Sequence, residues 1–156
     1  MPNLRSAKLA GWQQWLLCLS GTALWLTGSA WLLLHYYGQT QGEFGPEANP
    51  VEPWMMKLHG LALIPALVGI GTTLVAHIPK GWTHQPQRIA GIALCSWLAV
   101  LIGSGYLLYY LGDEAARAWM ATCHWAIGLA LPMVFLWHWL NGIKARRRRP
   151  HGGMAA

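Results

Sequence analysis

Hydrophobic residues dominate four long stretches of the chain, and the charged residues lie between and around them. The windows 11–37, 58–79, 89–112 and 118–143 contain no Asp, Glu, Lys or Arg. Each window is long enough, as a helix, to cross a hydrocarbon core of roughly 30 Å. The pattern predicts an all-α integral membrane protein, a four-transmembrane-helix up-down-up-down bundle with helices at about 11–37, 55–79, 88–112 and 116–142.

Composition supports a membrane protein, because 54% of the 156 residues are hydrophobic and only 10% are charged. That is too little charge to solvate an ordinary water-soluble surface. The first window ends in "LLLHYY" and has no small-residue cleavage site, so we expect it to remain as helix one and not to be removed as a signal peptide.

The charges predict the orientation of the bundle. All five acids (Glu43, Glu47, Glu52, Asp113, Glu114) lie in the connections after helices one and three, whereas most of the 11 basic residues flank the other ends. By the positive-inside rule both termini are cytoplasmic, as expected in a bacterial inner membrane. We expect a cytoplasmic segment 1–10, a membrane domain 11–143 and a basic tail 144–156. The tail sequence "KARRRRP" is typical of a lipid-headgroup anchor after a membrane helix, and we expect no nucleic-acid partner.

The two halves of the chain resemble each other weakly. "GSAWLL" at 28–33 recurs as "GSGYLL" at 103–108, and "WMMKLH" at 54–59 recurs as "WMATCH" at 119–124. These matches make His59 and His124 equivalent, each near the outer end of the second helix of a hairpin.

Four histidines share a regular spacing on helices two and four. His59 and His77 are eighteen residues apart, which is five full helical turns, so they lie on the same face of helix two. His124 and His138 are fourteen residues apart, a net rotation of roughly −40°, so they too lie on one face of helix four. The spans are roughly 27 Å and 21 Å, so His59 can oppose His124 outside and His77 can oppose His138 inside, with a mismatch of about one turn.

Two opposed imidazoles suit the axial ligation of a haem b, and ligation offsets the cost of placing histidine in hydrocarbon. Two such haems would form an electron path. Glycines on helices one and three leave room for flat macrocycles or serve plain helix packing: Gly21, Gly28, Gly91, Gly103 and Gly105. The three cysteines lie in apolar segments and form no CxxC or CxxCH motif, which excludes the usual covalent haem attachment.

Basic residues near each membrane surface are candidates to balance haem propionates. Lys57 and Arg117 lie outside, and Lys80 and Arg88 lie inside; snorkelling anchors explain them equally well. His35 is a rival ligand for the outer haem. Alternatively, its imidazole hydrogen-bonds a haem propionate or a quinone, or simply faces the membrane–water interface. We expect His84 and His151 to be solvated.

The motifs "HWAIGLALPMVFLWH" and "GSGYLLYYLGDEAARAW" resemble the bacterial di-haem cytochromes b: b561-type cytochromes, the haem b subunits of formate dehydrogenases and hydrogenases, and superoxide oxidase. The resemblance implies two non-covalent haems b, with His124 and His138 ligating different haems, and electron exchange with quinone. Several relatives take a ligand from the start of helix one, where this chain has Trp12 and Gln13; His77 is the natural substitute.

The expected function is electron transfer across the bilayer between quinone or quinol and a periplasmic or membrane redox partner, as a subunit of a respiratory or photosynthetic complex. One alternative is a stand-alone superoxide:quinone oxidoreductase, which would need a basic external funnel that the five external acids disfavour. The other is a histidine-based metal or proton transporter, which would need polar residues along the helices. Asp113 and Glu114 are candidate proton acceptors, or caps of helix four.

Overall fold

The computed structural model describes residues 9–79 and 88–147. In chain order these residues form helix α1 (Gly11–Tyr37), strands β1 (Thr40–Gly42) and β2 (Gly45–Glu47), and helices α2 (Glu52–Ala76), α3 (Arg88–Tyr110) and α4 (Glu114–Arg147). All four helices are long and apolar enough to cross a membrane. The prediction of a multi-pass, essentially all-α membrane protein is confirmed.

The chain divides after His77 into two compact helical hairpins. In the first hairpin α1 packs against α2, and a Cβ added at Gly69 would lie 2.8 Å from the Leu17 Cδ2 atom, so any larger residue would require the Leu17 side chain to move. In the second hairpin α3 packs against α4, and the Trp97 indole donates a 2.9 Å hydrogen bond to the Ile127 carbonyl. The two helices of each hairpin are thus held together by direct contacts.

Burial in the hairpins is the reverse of that in a water-soluble protein. The buried positions hold small or polar residues such as Ser20, Ala66, Ala90 and Ser104. Large apolar side chains are exposed on every helix, among them Trp15, Ile64, Ile89 and Met133. Lipid tails are as apolar as these side chains, so exposure to the bilayer costs nothing and small residues are left for close helix contacts.

Three helices differ from their predicted bounds: α3 ends at Tyr110 and not at 112, and α2 and α4 differ at both ends. Helix α2 begins at Glu52 and not at 55, because Pro53 is accepted in a first turn, where its missing N–H would have no helical partner. It ends at Ala76, and the His77 N–H closes the last turn on the Thr73 carbonyl at 2.9 Å. Helix α4 continues to Arg147, into the predicted tail, because no glycine or proline interrupts the sequence after Gly142 until Pro150.

The first connection contains a small β-hairpin that the sequence did not predict. Strands β1 and β2 pair antiparallel, with Thr40 opposite Glu47 and a two-residue turn at Glu43 and Phe44. Gly45 leaves this turn at φ +125°, a conformation that glycine adopts without strain. The ribbon has no alternation of apolar residues, so the periodicity that usually indicates a strand is missing.

Candidate functional site

His59 lies against helix α1 of its own hairpin. Its Nδ1 atom is 3.0 Å from the Thr27 hydroxyl oxygen, and a second hydrogen bond joins the ring to the backbone of Leu24. The adjacent Gly28 faces the ring directly: an added Cβ would lie 3.2 Å from His59 Cε1 and 3.4 Å from Nδ1. The Thr27 hydroxyl therefore holds the Nδ1 edge of the histidine, and the absence of a side chain at Gly28 leaves room for that edge.

His124 has the same surroundings in the second hairpin. Its Nδ1 atom is 2.8 Å from the Ser104 hydroxyl oxygen, and a Cβ added at Gly105 would lie 3.2 Å from its Cε1 atom. Both His59 and His124 are half-buried. The equivalence predicted for these two histidines thus extends to a hydroxyl residue and a glycine on the helix that each one contacts.

The structure changes the register of the repeat on the first helix of each hairpin. The sequence match paired Gly28 with Gly103, but Gly105 is the glycine that contacts the histidine, and a Cβ at Gly103 would meet nothing within 4 Å. The equivalent pairs are Thr27–Gly28 and Ser104–Gly105, two residues from the predicted alignment. A hydroxyl residue followed by glycine is the signal that sequence reasoning missed.

The other two predicted ligands lie toward the opposite ends of their hairpins. His77 caps α2, and His138 lies in the second half of α4; both are half-buried. A Cβ added at Gly91 would lie 3.8 Å from His138 Cε1, which is an ordinary contact, and one added at Gly21 would meet nothing. Each hairpin therefore carries one histidine toward each end.

The predicted basic residues lie near helix starts. The Lys57 ammonium lies over the Trp54 ring, 4.4 Å from its centroid, a cation–π contact. Arg117 is exposed in the first turn of α4, and Arg88 is the first residue of α3. Lys80, His84 and His151 lie outside the described residues.

His35 contacts a carboxylate at the connection end of the first hairpin. Its Nδ1 atom is 3.1 Å from Glu52 Oε2, and the Trp31 ring stacks on it with centroids 4.6 Å apart. The expectation that His35 rivals His59 as a ligand stays a prediction, but this imidazole has a structural partner of its own.

Asp113 acts as a helix cap. Its Oδ1 atom accepts a 2.7 Å hydrogen bond from the Ala116 N–H in the first turn of α4. Of the two interpretations of this acid, capping is the one that the structure supports with a contact.

Within residues 9–79 and 88–147 no three His, Cys, Asp or Glu side chains group as a metal site. A haem iron needs only two protein ligands, so this finding bears on free metal ions and not on haem. Comparison of the chain with protein-family models, with curated proteins and with solved structures gives no match.

Proposed function

We propose that this chain is a membrane cytochrome b that binds two haems b and moves electrons across the bilayer between the quinone pool and a redox partner. The observation that carries the proposal is the repeated arrangement of histidine, hydroxyl and glycine, His59 with Thr27 and Gly28 and His124 with Ser104 and Gly105. A histidine that served only in helix packing would not require the same hydroxyl and glycine contacts in both hairpins.

The residues of each hairpin fit a haem in two respects. A ligating histidine usually binds metal through one ring nitrogen while the other nitrogen is held by a hydrogen bond, and both Nδ1 atoms have such a partner. Gly28 and Gly105 let each imidazole lie close to the neighbouring helix, where an added Cβ would lie 3.2 Å from its Cε1 atom, and so help to hold the proposed ligand in one place. When bound, haem b supplies reversible one-electron transfer.

The proposed ligand pairs are His59 with His124 for the outer haem and His77 with His138 for the inner haem. Lys57 and Arg117 on one side, and Arg88 on the other, are proposed to balance propionate charge near the membrane surfaces. These assignments follow from spacing along the helices.

Quinone is the proposed exchangeable substrate because it dissolves in the same lipid that the apolar helix surfaces contact. The described connections between helices are an eight-residue β-ribbon with its flanks and a short turn at Asp113, too small for a redox domain. The electron partner is therefore proposed to be a separate periplasmic or membrane protein, with this chain as the quinone-reactive subunit in a bacterial inner membrane.

The proposal is tested by a reduced-minus-oxidised absorption spectrum and a haem-to-protein ratio for the full chain, purified from cells with ample haem. The same measurements are made on His59→Ala, His77→Ala, His124→Ala and His138→Ala, with His35→Gln as a control histidine variant. We expect two b haems per chain, with one lost in each of the four alanine variants and none in the control.

The pattern of loss tests the pairs separately. His59→Ala and His124→Ala are expected to remove one spectral component, and His77→Ala and His138→Ala the other. Absence of haem from the wild-type chain would reject the proposed function, and a single haem would reject the two-haem arrangement. Reduction of the bound haem by a quinol in lipid nanodiscs then tests the quinone assignment.

A further inference from the structure

The hydroxyl groups that contact the two histidines also contact carbonyl oxygens of their own helices. The Thr27 hydroxyl oxygen lies 2.7 Å from the Ala23 carbonyl oxygen and 3.2 Å from that of Leu24. A carbonyl oxygen can only accept, and two oxygens approach to 2.7 Å only with a proton between them. Thr27 therefore donates its single hydroxyl proton to a carbonyl oxygen of its own helix.

This commitment determines the role of the hydroxyl toward His59. With its proton pointing at Ala23, the Thr27 oxygen presents a lone pair to His59 Nδ1 at 3.0 Å. The contact is a hydrogen bond only if Nδ1 carries the proton and donates it. In a neutral imidazole with its proton on Nδ1, the Leu24 carbonyl can accept only from that same Nδ1–H, and the other nitrogen, Nε2, holds the lone pair.

The second hairpin repeats this network independently. The Ser104 hydroxyl oxygen lies 3.2 Å from the Leu101 carbonyl oxygen and 2.8 Å from His124 Nδ1. If the Ser104 proton points at Leu101, as the Thr27 proton points at Ala23, the Ser104 hydroxyl accepts from an Nδ1–H of His124. Ser104 is buried, so competing water is scarce and the two protein partners decide the orientation of the hydroxyl.

We propose that Thr27 and Ser104 are positioning residues that hold His59 and His124 in the Nδ1–H tautomer, so that both rings present Nε2 as their lone-pair nitrogen. The tautomer stands on the hydrogen-bond network alone; that Nε2 then ligates haem iron rests on the proposed function. An Nδ1–H donating to a fixed acceptor makes the ligand more basic, which favours ferric iron and lowers the reduction potential.

The tautomer is tested without haem, by ¹⁵N NMR of the full chain labelled at histidine, in lipid nanodiscs at a pH where imidazole is neutral. His59→Gln and His124→Gln spectra assign the two rings. Thr27→Val removes the hydroxyl and keeps the shape, and Thr27→Ser restores the hydroxyl; Ser104→Ala and Ser104→Thr form the second pair.

We expect the wild-type rings of His59 and His124 to be protonated at Nδ1. We expect each apolar variant to shift its own histidine toward a mixture of tautomers, and the hydroxyl-retaining variants to match the wild type. An Nε2–H ring at His59 in the wild type, or a Thr27→Val spectrum identical to the wild type, would overturn the proposal.

The haem-loaded chain supplies the second readout. Thr27→Val is expected to move the midpoint potential of one haem to a more positive value and to weaken binding of that haem about 10-fold, with Thr27→Ser near the wild type. An unchanged potential in Thr27→Val with both haems bound would refute the positioning role. If no version of the chain binds haem, the proposed function fails while the NMR result still decides the tautomer.

Discussion

His35 on α1 and Glu52 on α2 join the two helices of the first hairpin at their connection, with Nδ1 and Oε2 3.1 Å apart. The carboxylate is buried, and its other oxygen accepts a 3.3 Å hydrogen bond from the Asn49 N–H. Asn49 in turn donates to the Gly38 carbonyl at 2.8 Å, so the end of α1, the loop and the start of α2 form one network. Glu52 also lies at a helix N-terminus, where the helix dipole favours a negative charge.

Glu52→Gln is expected to destabilise the chain because it weakens the contact between a buried carboxylate and the partly exposed His35 ring. We expect the free energy of unfolding to fall by about 1–3 kcal/mol. Chemical denaturation in detergent, followed by far-UV circular dichroism, measures it. Glu43→Gln is the matched control: Glu43 is exposed in the β-ribbon turn, and its change is expected to stay within about 0.5 kcal/mol. Equal losses in both variants would contradict the importance of the His35 contact.

If the chain binds the two haems proposed above, His35→Gln is expected to leave both in place. The ring is engaged by Glu52 through Nδ1 and by Trp31 through stacking, which accounts for its position without iron. The haem-to-protein ratio and the reduced spectrum of the purified variant check this. Loss of one haem would identify His35 as a ligand and remove His59 or His124 from the proposed outer pair.

Gly28→Ala and Gly105→Ala are expected to weaken the proposed haem binding, because each new Cβ would lie 3.2 Å from a histidine Cε1 atom and force the ring to shift by a few tenths of an ångström. Gly103→Ala is the control, since a Cβ there meets nothing within 4 Å. Haem retained after purification is the measurement. We expect Gly103→Ala to keep its haem, and in unfolding experiments to gain up to about 1 kcal/mol from helix propensity. Equal haem retention in all three variants would contradict the importance of these contacts.

The sequence predicts the helices well and the histidine surroundings poorly, for different physical reasons. Long runs without charge indicate membrane helices because the bilayer excludes charge, and this constraint acts on every residue of a span. The contacts of His59 and His124 depend on which two residues of the neighbouring helix face the ring. A shift of two residues, from Gly103 to Gly105, turns that face through roughly 200°, which short apolar matches do not resolve.

The helix ends and the β-ribbon are also features that the sequence pattern predicts poorly. Helix α4 extends past Ile143 because nothing interrupts it, although charge marks the predicted membrane edge one residue later at Lys144. Charge defines where the bilayer ends, whereas glycine and proline define where a helix ends. The ribbon at 40–47 depends on backbone pairing and on Gly45, without an apolar face for a pattern to reveal.

Asp113→Ala is expected to destabilise α4, because the Ala116 N–H loses the carboxylate oxygen that accepts its 2.7 Å hydrogen bond. Loss of such a cap costs about 1 kcal/mol. Asparagine keeps an acceptor oxygen and is about as good a cap, so Asp113→Asn should unfold within a few tenths of a kcal/mol of the wild type. Thermal unfolding of the three chains in one detergent compares them.

If Asp113→Asn is as unstable as Asp113→Ala, the negative charge matters more than the hydrogen bond. If Asp113→Asn folds normally but slows reduction of the chain by quinol, the acid has the proton-accepting role that capping alone does not require.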